Sequence, residues 1–485
     1  MLVAYFSPIT DHQSPFSVPR LRPSFETPEA SSFAKASADT SSGKPAFPPW
    51  HKPCSARGMS TESFAPRQLP TSRWLQLLFG LVCMMAISSP QYVWTLFTGP
   101  FTTHLGATLA QVQVTISVLI VLQTFLSPFQ GYLVDLFGPR TLLSIGAIFS
   151  AASWVLAATV KTTLGLYLTY GLLGGIGTGI IYVGVVGLMV GWFPDRRGFA
   201  CGIVAAGYGM GAILTTFPIS GSLAAAGPQS TLITFGLIFG AIGLLAAQGM
   251  KRPPTHFESS DPGSAPTRTG VPPLVMLRSP IFWVLFVMMS MMSSSGLMVI
   301  TQMAAFAKDF GVANAMVFGT TALPLALTID RFTNGLTRPF FGWLSDRIGR
   351  EQTMFLAFGL EGLAMLLWLA TRQHAILFVL LSGVVFFGWG EIFSLFPSTL
   401  TDTFGERHAT TNYGFLYMAQ GIGSIVGAPL AAWLHEVTGN WIIVFAVMIA
   451  MDFLAAIMAI AVLKPLRRGY LHAPNALSEN APLPI

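Results

Sequence analysis

Apolar residues along this chain do not alternate. They gather in runs of about twenty, long enough for a helix to cross ~30 Å of hydrocarbon, and short polar stretches separate the runs. Twelve spans are read at approximately 75–99, 112–134, 141–160, 164–191, 198–224, 229–249, 280–304, 318–341, 352–371, 375–397, 412–434 and 441–463. The longest interruption, 250–279, is rich in Pro, Ser and Thr and includes Pro253, Pro254, Pro262 and Pro266. It reads as a flexible cytoplasmic linker between a first six-helix bundle at 73–249 and a second at 280–465. Residues 1–72 have no sustained apolar run and no signal-peptide pattern, so they read as a disordered tail in which Met59 is an alternative start; 466–485 form a C-terminal tail. The fold class expected is an all-α membrane protein with twelve transmembrane helices in two pseudo-symmetric six-helix bundles.

Composition agrees: of 485 residues, 52% are hydrophobic and 9% charged, and mean hydropathy is +0.62. The net charge of +6 has a topological meaning, because the basic residues gather on one set of alternating loops. Arg67, Arg73, Arg140, Arg196, Arg197, Lys251, Arg252, Arg268, Arg278, Arg347, Arg350, Arg407, Lys464, Arg467 and Arg468 lie there, against Lys161, Lys308 and Arg372 on the other set. Positive residues stay inside, which predicts a multi-pass protein of the inner or plasma membrane with both termini cytoplasmic, and argues against a nucleic-acid surface. Cys54, Cys83 and Cys201 sit in the tail and in two separate helices and imply no disulfide framework.

All eight histidines (His12, His51, His104, His256, His374, His408, His435, His472) fall in tails or loops of this reading, so no metal site or histidine base is expected within the membrane. No Gly-Lys-Ser/Thr phosphate loop occurs, so no enzyme, ATP-driven pump or cofactor is expected. The methionines Met288, Met289, Met291 and Met292 read as packing or lipid-facing surface. Pro90, Pro128, Pro218 and Pro324 read as kinks. The pairs Gly175 and Gly179, Gly207 and Gly211, and Gly423 and Gly427 read as close approaches where the halves rock against each other.

The sequence repeats itself. GYLVDLFGPR at 131–140 follows the second span and GWLSDRIGR at 342–350 follows the eighth, with Asp135 and Asp346 separated by 211 residues. RGFACGIVAAGYGMG at 197–211 corresponds to NYGFLYMAQGIGS at 412–424, which aligns Gly202 with Gly414 and Tyr208 with Gln420. Repeated halves of this kind build alternating-access transporters that hold substrate at their interface near the midplane.

Charges inside the spans are costly in hydrocarbon and nearly always face a cavity or a partner. Asp330, Arg331 and Arg338 in helix 8 and Glu391 in helix 10 are therefore functional candidates. Counting the helix rise back from Asp346 places Arg338 roughly 12 Å in, close to the midplane. Arg331 points in nearly the same direction but lies ~10 Å nearer the outside, where an outer gate would be. An arginine in such a cavity suits a carboxylate, because its planar fork offers parallel donors and keeps its proton. The other reading of Arg331, Asp330 and Glu391 is an intramembrane ion-pair network or a proton-coupling group.

The loop GYLVDLFGPR, with Gly131, Asp135, Gly138 and Arg140 in place, and its weaker copy resemble the major facilitator superfamily signature. QYVWTLFTGP, GWFPDRRG, AAGYGMG, NGLTRPFFGWLSD and LFPST are similar to the oxalate/formate antiporter family, and the resemblance spans roughly 73–465. It implies that Arg338 contacts substrate carboxylate and that Gln91, Tyr92, Tyr182, Tyr208 and Trp389 line the pocket. Two positions depart from the pattern. Gln420 stands where the family has a lysine that clamps the second carboxylate of oxalate, and Phe393 stands for a tyrosine. The resemblance also implies that Asp135, Arg140, Asp346, Arg347 and Arg350 at the cytoplasmic rim stabilise the outward-open arrangement. The expected function is secondary active transport of small carboxylates, foremost oxalate/formate exchange, by a monomer in a lipid bilayer. The alternative is proton-coupled symport of lactate, pyruvate or formate, with Glu391 or Asp330 carrying the proton.

Overall fold

The structure, a computed structural model, describes residues 72–253 and 270–472. The N-terminal tail with Met59, the linker from 254 to 269 and the residues from 473 on lie outside the described residues. The spans are helices: α1 Arg73–Tyr92, continued by Trp94–Leu105; α2 Leu109–Phe125 and Ser127–Phe137, bent by 52°; α3 Pro139–Ala157; α4 Thr163–Trp192. Arg197–Gly249 is interrupted at Gly227, whose φ of 76° and ψ of 173° divide it into α5 (197–226) and α6 (228–249). The second half holds α7 Pro280–Asp309, α8 Ala322–Ile348, α9 Arg350–Ala370, α10 Ala375–Phe404, α11 Ala409–Thr438 and α12 Ile442–His472.

Among the described residues nine helices are long and apolar enough to cross a membrane, or ten with the bent pair. The turn at Gly227 divides one of them into two. α8 completes the set of twelve although its own charges, Asp330, Arg331, Arg338, Asp346 and Arg347, make it too polar to qualify on composition.

Local chemistry sets several ends. Thr108 and Gln111 close a capping box at the start of α2, the Ser279 hydroxyl accepts from Ile281 N–H at the start of α7, and Gly106 and Gly439 end their helices in the left-handed region. The bend in α2 comes at Leu126, just before Pro128, as expected of a helical proline. Pro324 makes no kink because it lies in the first turn of α8, where no hydrogen bond is lost. His104, His435 and His472 lie in last helical turns rather than in loops or tails, because the helices overrun the predicted ends. Met288, Met289 and Met292 are fully buried and pack the core.

α5 crosses α8 and α2 crosses α11, and these crossings join the two halves. The glycines that permit them are not the predicted pairs. Gly175 and Gly179 meet α2, Gly207 and Gly211 meet α1, and Gly423 and Gly427 meet α7, so all three pairs close helices within one half. A four-residue spacing keeps both glycines on the face turned to that neighbour. The seam between halves uses other glycines. A Cβ at Gly342 would overlap the Gly198 backbone, one at Gly202 the Arg338 carbonyl, and one at Gly414 the Ser127 carbonyl. These contacts lie toward the end carrying the two repeated loops. On α8, the face that carries buried Arg338 and Gly335 becomes exposed at Arg331, Thr328 and Leu327, so the seam opens at the opposite end.

Candidate substrate site and closed rim

Arg338 lies where the halves meet and is 1% exposed. One terminal nitrogen donates to the Ala205 carbonyl of α5 at 2.6 Å, and the other donates to Asn334 Oδ1, one turn back on α8, at 2.9 Å. Its Nε has no partner. The guanidinium sits 4.5 Å from the centre of the Phe393 ring, a cation–π contact, and a Cβ at Gly209 would touch it. No carboxylate lies within ion-pair distance among the described residues, so this charge is solvated by neutral dipoles and a ring alone.

An aromatic wall adjoins it. Tyr182 packs edge-on against Tyr208 at 5.1 Å and against Phe393 at 6.3 Å, and it stacks on Tyr417 at 4.7 Å. Tyr92 meets Tyr208 at 5.6 Å, and Tyr413 meets Tyr417 at 5.6 Å. The Tyr208 hydroxyl donates to Gln91 Oε1 at 2.5 Å and accepts from Gln123 at 3.1 Å, which ties α5 to α1 and α2. Of the pocket residues expected from sequence, Tyr92, Tyr182, Tyr208 and Gln91 are brought together here beside Arg338. Trp389 faces Phe393 at 6.0 Å but gives its indole N–H to the Met292 carbonyl. Gln420 is buried on α11 with an unpartnered amide oxygen.

Sequence reading missed Tyr413, Tyr417, Gln123 and Asn334. Tyr413 lies seven residues before Gln420 and so falls on the same face of α11, a periodicity signal that was available. Asn334 one turn before Arg338 was equally visible.

The acids divide into two kinds. Asp330 is buried on α8 near Ser382, Arg331 next to it is exposed, and neither enters an ion pair among the described residues. Glu391 is fully buried at a break in α10, where the helix ends at Trp389 and restarts at Ile392. Gly390 at that break packs against the Arg338 side chain and the Asn334 carbonyl, and the freed Phe387 carbonyl accepts from Thr337 of α8. Two further fully buried acids, Glu361 on α9 and Asp452 on α12, were not foreseen. Each is a lone acid in an apolar span, easily passed over in a sequence.

At the rim every buried charge is paired. Asp346 accepts the backbone N–H groups of Gly198 at 2.9 Å and Phe199 at 2.8 Å, in the first turn of α5, and Arg350 at 2.6 Å. A carboxylate at a helix N-terminus is held by both the free donors and the dipole. Arg350 also donates to Asp402 at 2.7 Å, and Asp402 accepts from Arg197 of the other half at 2.6 Å. Arg197 pairs with Glu406 as well, whose carboxyl burial raises above its ordinary value while the Arg197 charge works against that.

The first copy of the loop is built differently. Asp135 accepts from Thr411 N–H at 3.0 Å and its hydroxyl at 2.6 Å, and Gly131 packs on the Thr410 carbonyl. Gly138 has φ 93° and lies beside the Arg252 guanidinium, which donates to the carbonyls of Asp135 and Leu136. Arg140 is exposed, and so is Arg347, which lies over the Trp343 ring at 4.3 Å.

Known proteins with this pattern can now be set beside the chain. The Major Facilitator Superfamily profile matches residues 77–329 and 288–484. An oxalate:formate antiporter of Oxalobacter formigenes is 33% identical over 82% of this chain and 93% of its own length. Monocarboxylate transporter 13 of Bos taurus is 25% identical over 68% of this chain and 75% of its own. The solved structure of the proton:xylose symporter XylE with 6-bromo-6-deoxy-D-glucose matches with a TM-score of 0.60 and 14% identity, over 81% of this chain and 96% of that one.

Proposed function

The chain belongs to the major facilitator superfamily and is a multi-pass membrane transporter, and on that premise we propose that it carries small carboxylate anions by alternating access around Arg338, exchanging oxalate and formate. One observation carries this reading: a fully buried arginine without a carboxylate partner, at the seam of two halves, against an aromatic wall. A buried guanidinium that lacks a counter-ion is strongly stabilised by an incoming carboxylate. The rings of Tyr182, Tyr208 and Phe393 crowd the guanidinium, which supports a small guest. The similarity to an oxalate:formate antiporter supports the same class of cargo.

With Gln420 neutral and Arg331 exposed, one buried cation faces the cargo, which favours a monoanion such as formate over a dianion. The bias of basic residues supports a cytoplasmic location for the closed rim and both termini, and on that reading this conformation is outward-open. On this reading the linker 250–279 joins halves at 73–249 and 280–465, which work together as a monomer.

The test is uptake of labelled oxalate and labelled formate into proteoliposomes preloaded with oxalate, formate or buffer. Exchange predicts uptake that needs an internal anion and is lost in Arg338→Ala. A second reading, proton-coupled symport, is favoured by Glu391, buried beside Arg338 without an ion pair. It predicts uptake into buffer-loaded vesicles that follows an imposed pH gradient.

A further inference from the structure

Inside the second half three acids from three elements lie near one another, one of them within reach of Arg338. Glu361 of α9, Glu391 at the α10 break and Asp452 of α12 are each 0% exposed. A Cβ at Gly388, one turn before Glu391, would overlap the Glu361 Cβ, and a Cβ at Gly362, next to Glu361, would lie 3.3 Å from the Asp452 Cβ. Glu361 lies within electrostatic reach of both Asp452 and Glu391, and Glu391 lies within reach of Asp452 and Arg338. The four oxygens of Glu361 and Glu391 have no hydrogen-bond partner. The buried Ser295 hydroxyl of α7, without a close partner of its own, faces Asp452. Arg338 from α8 is the one cation facing the trio among the described residues; α7 contributes Ser295 and no charged group.

Three carboxylates cannot share such a volume with one arginine. One negative charge beside Arg338 is balanced, and a second and a third would be isolated charges in a hydrocarbon interior. The described residues contain no group of three His, Cys, Asp or Glu that could hold a metal ion. The cation that fits separate, dry carboxyl groups is the proton.

We propose that Glu361, Glu391 and Asp452 form a proton-binding site in the second half, and that its proton load is linked to the occupancy of Arg338. The inference rests on the reading of Arg338 as the carboxylate site. When an anion binds at Arg338 it brings a second negative charge within reach of Glu391, and Glu391 must then take up a proton. The balance is one anion bound, one H⁺ from solvent joined to a Glu391 oxygen, and no change in net charge at the site. By linkage a bound proton strengthens anion binding by the same factor. Gly390, which seats the α10 break against the Arg338 side chain, is the mechanical connection. The Ser295 hydroxyl and the Glu361 carboxyl extend the store toward α7 and α9.

Two measurements test this on the full-length protein. Infrared difference spectra report the C=O stretch of protonated carboxyl groups with or without transport. The proposal expects that band at neutral pH, a further rise on adding formate, and a loss of intensity in each of Glu361→Gln, Glu391→Gln and Asp452→Asn. In formate-loaded proteoliposomes, formate exchange at acid pH divided by exchange at alkaline pH should fall about tenfold in Glu361→Gln and Asp452→Asn. Unchanged spectra in all three variants, an unchanged ratio, or a dependence of exchange on sodium in place of pH would overturn the proposal. If Arg338→Ala abolishes the formate-induced rise but keeps the neutral-pH band, both readings stand. If it leaves the rise intact, the reading of Arg338 fails and the linkage falls with it, although the band still reports the store.

Discussion

Arg350 and Arg338 lie twelve residues apart in the same half, and both are buried, at 8% and 1% exposed. Arg350 is held by Asp402 and Asp346, with Asp402 in turn bonded to Arg197 across the seam. Arg338 has a carbonyl, an amide oxygen and a phenyl ring. The acids divide the same way: Asp346 and Asp402 are saturated with donors, whereas both oxygens of Glu391 and of Glu361 have none. Paired charges at the rim hold a shape, and their energy is spent in the conformation that pairs them. Unpaired charges in the interior leave a free-energy gap that a ligand, an anion at Arg338 or a proton at the acids, can close.

The sharpest way to break this contrast is Arg338→Ala. Truncating a buried charge-assisted site should lower counterflow of formate and oxalate by about a hundredfold or more. Arg338→Lys should rescue little, since a point charge does not reproduce the fork. Asp402→Asn should do the reverse. It leaves Arg197 and Arg350 without their shared partner, a loss on the order of 3–5 kcal/mol for a buried pair, so the closed rim should open. Its readout is reagent access to a cysteine placed at Thr410, with anion affinity changed far less than access.

Gln420→Lys sharpens the interior side. A second cation should improve the apparent affinity for oxalate over formate by on the order of tenfold, measured as competing inhibition of formate exchange. Equal effects on both anions would show that Gln420 does not reach the cargo. The smallest effect expected is that of Tyr208→Phe, which removes one hydroxyl between Gln91 and Gln123. A few-fold rise in KM with little change in maximal rate is the outcome.

The fold was legible because membrane spans announce themselves in long apolar runs, and the repeat of Asp135 at Asp346 marked the two halves. Arg338 was legible for a related reason, since a charge in such a run stands out. What stayed hidden depends on which helix faces which. Asp402 meets Arg197 although the two lie 205 positions apart, and nothing local marks that pairing. The glycine pairs misled because spacing within one helix names a smooth face and not the neighbour that uses it. Glu361 and Asp452 looked like isolated polar residues in separate spans, and only packing of α9 against α10 and α12 makes them one group with Glu391.

The most direct test of the central claim is calorimetric titration of formate and of oxalate into the purified protein and its Arg338→Ala variant at one pH. The account predicts saturable binding to the natural chain, with formate at least as well accepted as oxalate, and no measurable heat in the variant. Binding of either anion to Arg338→Ala with unaltered affinity would contradict it.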